Sequence, residues 1–376
     1  MADCPVSARS PGYAVSSVHS QGNRHPREHP SCPETVVGDD GGMTTPPPVD
    51  ELLARAHVVA LPMRVRFRGV DAREALLLEG PSGWGEFSPF VEYDDRESAR
   101  WLSAALEAAY AEWPAPVRDA VAVNATVPAV GPDRVPEVLA RFDGCTTAKV
   151  KVAERGQTLD DDIDRIASVR SVMGPSARIR VDANGGWDVA TATEALRRLT
   201  AYDLEYAEQP CASVEELVEL RTALARNGID VLIAADESIR KAEDPIRVAR
   251  LGAADLVVVK VAPLGGVGSA LGVVEACGLP AVVSSALDTS VGIAAGVALA
   301  AALPSLEHAC GLGTVGLFER DVSADPWRPS GGLLRLGRAT ADSEALADLT
   351  APPDRQRWWR DRLVRCHAVL AEGSAG

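Results

Sequence analysis

Residues 147–152 read TAKVKV, a run in which small or apolar residues alternate with lysines. Strict alternation marks a strand, and in a strand residues i and i+2 share a face. Lys149 and Lys151 therefore project to the same side. Two ammonium groups placed side by side disfavour each other's protonated form, so each is expected to lower the other's pKa. That is one way to prepare a lysine as a base near neutral pH. An edge strand with a solvated, charged face would show the same pattern, and the neighbouring sequence has to decide.

Outward from this stretch the chain alternates between strand-like and helix-like runs. VAVNATV (121–127), TAKVKV, RIRVDA (178–183), LEYAEQP (204–210), VLIAADES (231–238), LVVVKVAP (256–263), AVVSSALD (281–288) and LEHACGLGT (306–314) read as strands. Amphipathic stretches such as LDDDIDRIASVRSVMG and DVATATEALRRLTAYD lie between them, with glycines and prolines at the seams. Eight strands recurring in this way predict an α/β fold, a modified (β/α)8 TIM-type barrel. A doubly wound open sheet is the alternative, but no glycine-rich phosphate fingerprint follows the first strand.

Upstream, HVVALPMRVRF, REALLLEG and GWGEFSPF predict an antiparallel meander over 57–90, turning at Gly69 and at Gly80-Pro81-Ser82-Gly83. DDRESARWLSAALEAAYAEW (94–113) predicts a helix ended by Pro114 and Pro116. The expected layout is an α+β unit over 49–118, the barrel over 119–317 and a closing segment over 318–376. Residues 1–48 hold eight of the 26 prolines and show no hydrophobic period. They are expected to form a disordered extension, with Met43 as an alternative start.

Composition narrows the partners. The 376 residues are 46% hydrophobic and 24% charged, with a formal net charge of −15, as in a soluble globular protein. The acidic balance argues against nucleic acid or an anionic membrane as principal partner. Seven scattered cysteines form no Cys-x-x-Cys pair, and neither a signal-like start nor a spanning apolar run is visible. A cytoplasmic location is the expectation.

In a barrel of this kind the catalytic groups stand at the C-terminal ends of the strands. Those ends carry Lys151, Asp182, Glu208, Asp236, Lys260 and the pair Ser284 and Ser285. The three carboxylates fall one βα unit apart, so successive strands present them at one level. Their repulsion calls for a cation, and all-oxygen ligation suits Mg²⁺, with Mn²⁺ as the alternative. Lys151 on the second strand and Lys260 on the sixth would face each other across the mouth. A small-molecule carboxylate held there would have a nitrogen on each side of its α-carbon, a layout for removing a proton from carbon. His308 is read as structural.

Lys149-Val150-Lys151, Asp182-Ala183-Asn184, Glu208-Gln209-Pro210, Asp236-Glu237-Ser238 and Lys260 together resemble the enolase superfamily, in its muconate-lactonizing-enzyme subgroup. The resemblance implies that the unit at 49–118 is a capping domain completed by the C-terminal segment. It also implies Lys151 as general base, Lys260 as the opposing charge, and Asp182, Glu208 and Asp236 as Mg²⁺ ligands. Lys149 would tune Lys151, while Asn184 and Glu237 would orient the ligands. GWGEFSPF, SSALDTSVGIAAG and GLGTVGLFERDV are similar to one branch of the family. That branch dehydrates 2-succinyl-6-hydroxy-2,4-cyclohexadiene-1-carboxylate to o-succinylbenzoate in menaquinone biosynthesis. For such a substrate, Ser284 and Ser285 are candidates for receiving the succinyl carboxylate, with turn chemistry as the plainer reading. Phe87 and Phe90 are candidates for closing over the site, with cap core as the plainer reading. Racemization of N-succinylamino acids, dipeptide epimerization and cycloisomerization use the same lysines and metal and stay open. A barrel scaffold without catalysis is disfavoured by the complete set of strand-end residues.

Overall fold

Alternation of apolar and polar residues makes β1 (Ala56–Phe67), β2 (Val70–Gly80) and β3 (Gly83–Phe87) an antiparallel meander. It opens a computed structural model that describes residues 46–67, 69–240 and 245–373. Most of the extension expected over 1–48, including Met43, lies outside the described residues. Helix Asp95–Tyr110 is capped by Asp94, whose carboxylate accepts from the Glu97 amide (2.7 Å). It stops ahead of Pro114 and packs on the meander. A Cβ at Gly85 would sit 1.9 Å from the Ala105 carbonyl oxygen, so only glycine lets the helix lie so close. Helix Pro353–Gly373 places Trp359, Leu363 and Cys366 in the same core as Leu76, Phe87 and Trp101. Among the described residues no helix is long and apolar enough to cross a membrane.

The second sheet holds β5 (Ala125–Val127), β6 (Thr147–Lys151), β7 (Arg178–Asp182), β8 (Leu204–Glu208), β9 (Ile233–Ala235), β10 (Leu256–Val259) and β11 (Ala281–Val283). They run parallel and in sequence order, β5 to β11. The alternating texture thus gives the expected α/β architecture, with two local departures. VAVNATV, expected as one strand, is split: β4 (Ala120–Ala122) pairs antiparallel with β12 (Leu333–Arg335), and only β5 joins the parallel sheet. LEHACGLGT, expected as an eighth strand, contributes two isolated bridges, Cys310 to Val123 and Gly311 to Ser284. Four backbone hydrogen bonds made by Cys310 and Gly311 close the ring there (2.7–3.1 Å). The close approach explains why glycine stands at position 311. A Cβ at Gly311 would lie 2.4 Å from Ser284 Oγ.

Period two then decides what fills the ring. Two residues before Lys151, Asp182, Glu208, Asp236, Lys260 and Ser284 stand Lys149, Arg180, Tyr206, Ala234, Val258 and Val282, on the same inward face. Tyr206, Ala234, Leu256, Val258 and Val282 form a buried cluster of their own. Arg180 is fully buried and donates to Tyr206 Oη and the Ala309 carbonyl (both 2.8 Å) and to Glu205 (2.9 Å). His308 Nδ1, 2.8 Å from Glu205 Oε1, belongs to this lower layer.

Candidate active site

At the upper end of the ring the polar residues pair. Lys151 Nζ lies 2.5 Å from Asp182 Oδ2 and 2.7 Å from Asn184 Oδ1. Lys149 Nζ donates to both oxygens of Glu208 (2.9 and 3.0 Å) and lies 3.3 Å from Asp182. Lys260 Nζ lies 2.5 Å from Asp236 Oδ2. Of these seven side chains, all but the exposed Asn184 are buried. Their fields split the two lysines that the sequence pairs. Burial, reinforced by Lys149, pushes the Lys151 pKa down against the pull of Asp182. For Lys149, burial is outweighed by Glu208 and Asp182, and the pKa rises. Mutual lowering is therefore corrected: Lys149 does depress Lys151, but its own proton is held by two carboxylates.

The carboxylates diverge in the same way. Burial raises Asp182, yet Lys151 and Lys149 hold it well below the ordinary range. Asp236 is brought to about 2, because Lys260 and Arg240 overcome its burial. Glu208 is pushed up to about 7 by burial and by Asp182, in spite of Lys149.

Asn184 ties the base to its surroundings. Its backbone, at φ +48°, is in the left-handed region that asparagine tolerates, and its amide donates to Asp182 Oδ1 (3.1 Å). Its Nδ2 donates to Glu237 Oε1 (3.2 Å), which also accepts from Arg240 Nη2 (2.5 Å). Arg240, absent from the sequence reading, donates through Nε to Asp236 Oδ1 (3.1 Å) and through Nη1 to Tyr93 Oη (2.9 Å). Its signal was its place one helical turn after Asp236. Gln209 Oε1 accepts the Asp236 and Ser238 amides (2.9 and 3.2 Å), linking two adjacent strand ends.

An inner cavity of about 30 Å³ is lined by Phe67, Lys151, Asp182, Lys260, Ser284 and Ser285, among others. An outer one of about 330 Å³ shares Phe67, Lys151 and Asn184 with it. Ser285 Oγ is 2.7 Å from Thr314 Oγ1 and 3.1 Å from the Gly311 carbonyl, which Ser284 also approaches (3.4 Å). Phe87 and Phe90 line neither cavity. They pack edge-on to Trp359 (5.8 Å) and Tyr93 (5.7 Å) in the cap core. The aromatic ring that faces the site is Phe67, at the end of β1, with Lys151 Nζ 5.4 Å from its centroid.

Among the described residues no three Asp, Glu, His or Cys side chains converge as a ready-made cation cage, since each strand-end carboxylate faces an ammonium group. The donor chemistry still suits a small hard dication. Asp182, Glu208 and Asp236 supply only oxygen from three adjacent strands, and all three carboxylates are buried.

The chain matches the family model described as "Enolase C-terminal domain-like" over residues 134–340 and the one described as "Enolase N-terminal domain-like" over residues 58–109. It is 59% identical over 325 residues to the o-succinylbenzoate synthase of Mycolicibacterium smegmatis, covering 86% of this chain and 98% of that one. The enzyme of the same name from Mycobacterium tuberculosis is 57% identical, over 86% and 97% of the two chains. Among solved structures, muconate lactonizing enzyme from Pseudomonas fluorescens aligns with a TM-score of 0.67 at 20% identity, over 79% of this chain and 98% of that one. N-succinyl Arg/Lys racemase from Bacillus cereus aligns with 0.65 at 18%, over 79% and 97%. These last two likenesses are of fold alone.

Proposed function

The chain belongs to the enolase superfamily, and from that premise we propose that it dehydrates 2-succinyl-6-hydroxy-2,4-cyclohexadiene-1-carboxylate to o-succinylbenzoate. It is then a hydro-lyase of menaquinone biosynthesis, acting on a small-molecule carboxylate. One observation carries the reading: Lys151 on β6 and Lys260 at the end of β10 line one inner cavity, with the carboxylates of β7, β8 and the end of β9 between them.

Lys151, with its pKa lowered by burial, takes the proton from the carbon bearing the ring carboxylate. The C–H electron pair moves into the carboxylate as an enediolate. Lys260 answers the developing negative charge from the opposite side. The pair then returns to form the ring double bond as the neighbouring C–O bond breaks. The departing hydroxyl takes the proton from Lys151 and leaves as water, so atoms and charge balance. Asp182, Glu208 and Asp236 would hold Mg²⁺, which when bound supplies positive charge to the substrate carboxylate. Asn184 fixes Lys151 by the 2.7 Å bond to its nitrogen. Ser284 and Ser285 receive the succinyl carboxylate, and Phe67 shields the face of the ring.

The test is loss of the cyclohexadiene absorbance on adding purified protein with Mg²⁺, repeated after EDTA. Conversion that EDTA abolishes and Mg²⁺ restores is expected. A folded protein that leaves the substrate intact, but exchanges the α-proton of N-succinylamino acids with deuterium, would overturn the assignment in favour of racemization.

A further inference from the structure

Behind the wall formed by Ser284–Leu287 lies a second set of buried charges, which the reaction above does not use. Arg73 on β2, Glu86 on β3 and Asp288 are each more than nine-tenths buried. Arg73 grips one side of the loop: Nε donates to the Leu287 carbonyl (3.1 Å), and Nη2 to the Ser88 carbonyl, Ser88 Oγ (3.1 Å) and the Ala286 carbonyl (3.4 Å). Glu86 grips the other side. Its Oε2 accepts from Thr289 N (3.0 Å), Thr289 Oγ1 (2.6 Å) and Gly292 N (3.1 Å), and its Oε1 from Ser88 Oγ (2.8 Å).

Three features show that this loop is held from the cap. Leu287 lies at φ +66°, a left-handed conformation that a leucine adopts only when its surroundings impose it. Helix Ser290–Ala302 begins with donors that a carboxylate from another element satisfies. And a Cβ at Gly292 would stand 2.7 Å from Asp288 Cβ and 2.9 Å from Glu86 Oε2, so glycine is what allows the approach. Ser284 borders both the inner cavity of the site and a separate cavity of about 20 Å³ lined by Glu86, Ser88 and Asp288. That space has room for one water, and the buried Asp288 Oδ1 has no hydrogen-bond partner among the described residues.

We propose that Arg73 and Glu86 are positioning residues. From within the cap they hold the 284–288 loop in the shape that presents Ser284 and Ser285 to the substrate's succinyl carboxylate, and so set KM rather than the chemical step. The substrate's part in this rests on the reaction proposed above, whereas the hold on the loop does not. Burial and Asp288 push Glu86 up to about 7. In its protonated form one oxygen still serves the three donors at the helix start while the other donates to Ser88 Oγ. Glutamine reproduces that pattern, and leucine removes it.

The experiment compares Glu86→Gln, Glu86→Leu, Gly292→Ala and Arg73→Lys with the unaltered protein. Steady-state kinetics on the cyclohexadiene carboxylate are read beside amide hydrogen exchange in peptides covering residues 284–292. Glu86→Leu and Gly292→Ala are expected to raise KM about tenfold with kcat within about threefold, and to speed exchange in the loop about tenfold. Arg73→Lys should follow them, because lysine keeps the charge but loses the planar fork. Glu86→Gln should stay near the unaltered protein in both readouts. Unchanged KM and exchange in Gly292→Ala and Arg73→Lys would overturn the proposal, even if Glu86→Leu fails to fold. So would a fall in kcat at constant KM. Loss of the reaction in the unaltered protein would refute the proposed function, and the exchange data would still decide whether the loop is held from the cap.

Discussion

Lys149 and Lys151 are chemically identical, two residues apart on one strand face, and the fold gives them opposite surroundings. Lys149 spends its charge on Glu208 and Asp182, while Lys151 is pushed toward the neutral amine by burial. That difference is what a base needs, since a lysine can take a proton only after losing its own. Lys151→Ala is therefore expected to lower kcat by about 10²–10⁴-fold, the usual range for a general base, with the far-ultraviolet dichroism unchanged. Turnover within a few-fold of the unaltered protein would remove Lys151 from its role. Residue types and spacing pointed to the five strand-end groups. The family resemblance already implied Lys151 as the base and Lys149 as its neighbour in support, but the opposite directions of their shifts depend on carboxylates that arrive from β7 and β8. Arg240 and Phe67 escaped notice for a related reason. Each lies in an ordinary-looking amphipathic context, and only the packing turns it toward the site.

At the scale of the element, the strands carry two layers of function along one inward face. On β8, Glu208 faces the site, while Glu205 and Tyr206 serve the layer below. Glu205 is held at about 2, because bonds from His308 and Arg180 outweigh its burial. Its carboxylate therefore stabilises the fold fully above its unfolded pKa near 4.5, and that contribution is lost as pH falls from there toward 2. Glu205→Gln should cost about 3 kcal/mol at pH 7, and the deficit should shrink steadily below pH 4.5. Urea unfolding at pH 7 and pH 3 measures both. A deficit that is the same at the two pH values would show that packing, not charge, is what the glutamate provides. The strand runs themselves were legible from their alternation. The split at Val123–Asn124 and the reduction of the last run to two bridges were not. Both follow from where β12 and Ser284 come to lie, far along the chain.

At the scale of the molecule, the last helix is part of the first core. Trp359 is fully buried beside Phe87, and its Nε1 donates to Glu74 (2.9 Å), which Arg355 also holds. Trp359→Ala should cost about 3–5 kcal/mol, the usual loss for a buried tryptophan, and should be read as a lower midpoint in denaturant. A loss below about 1 kcal/mol would mean that the helix only rests on the cap. The sequence by itself determined most of the repeating strands and the residue at the end of each one, because period two and βα spacing are local properties of the chain, and its motifs carried the resemblance to the family. Only the tertiary structure decided that the two lysines shift in opposite directions, that Phe67 rather than Phe87 or Phe90 lines the inner cavity, and which side chains bond the 284–288 loop. Those outcomes depend on burial and on charges brought together from distant segments, and neither exists until the ring has closed and the cap has docked.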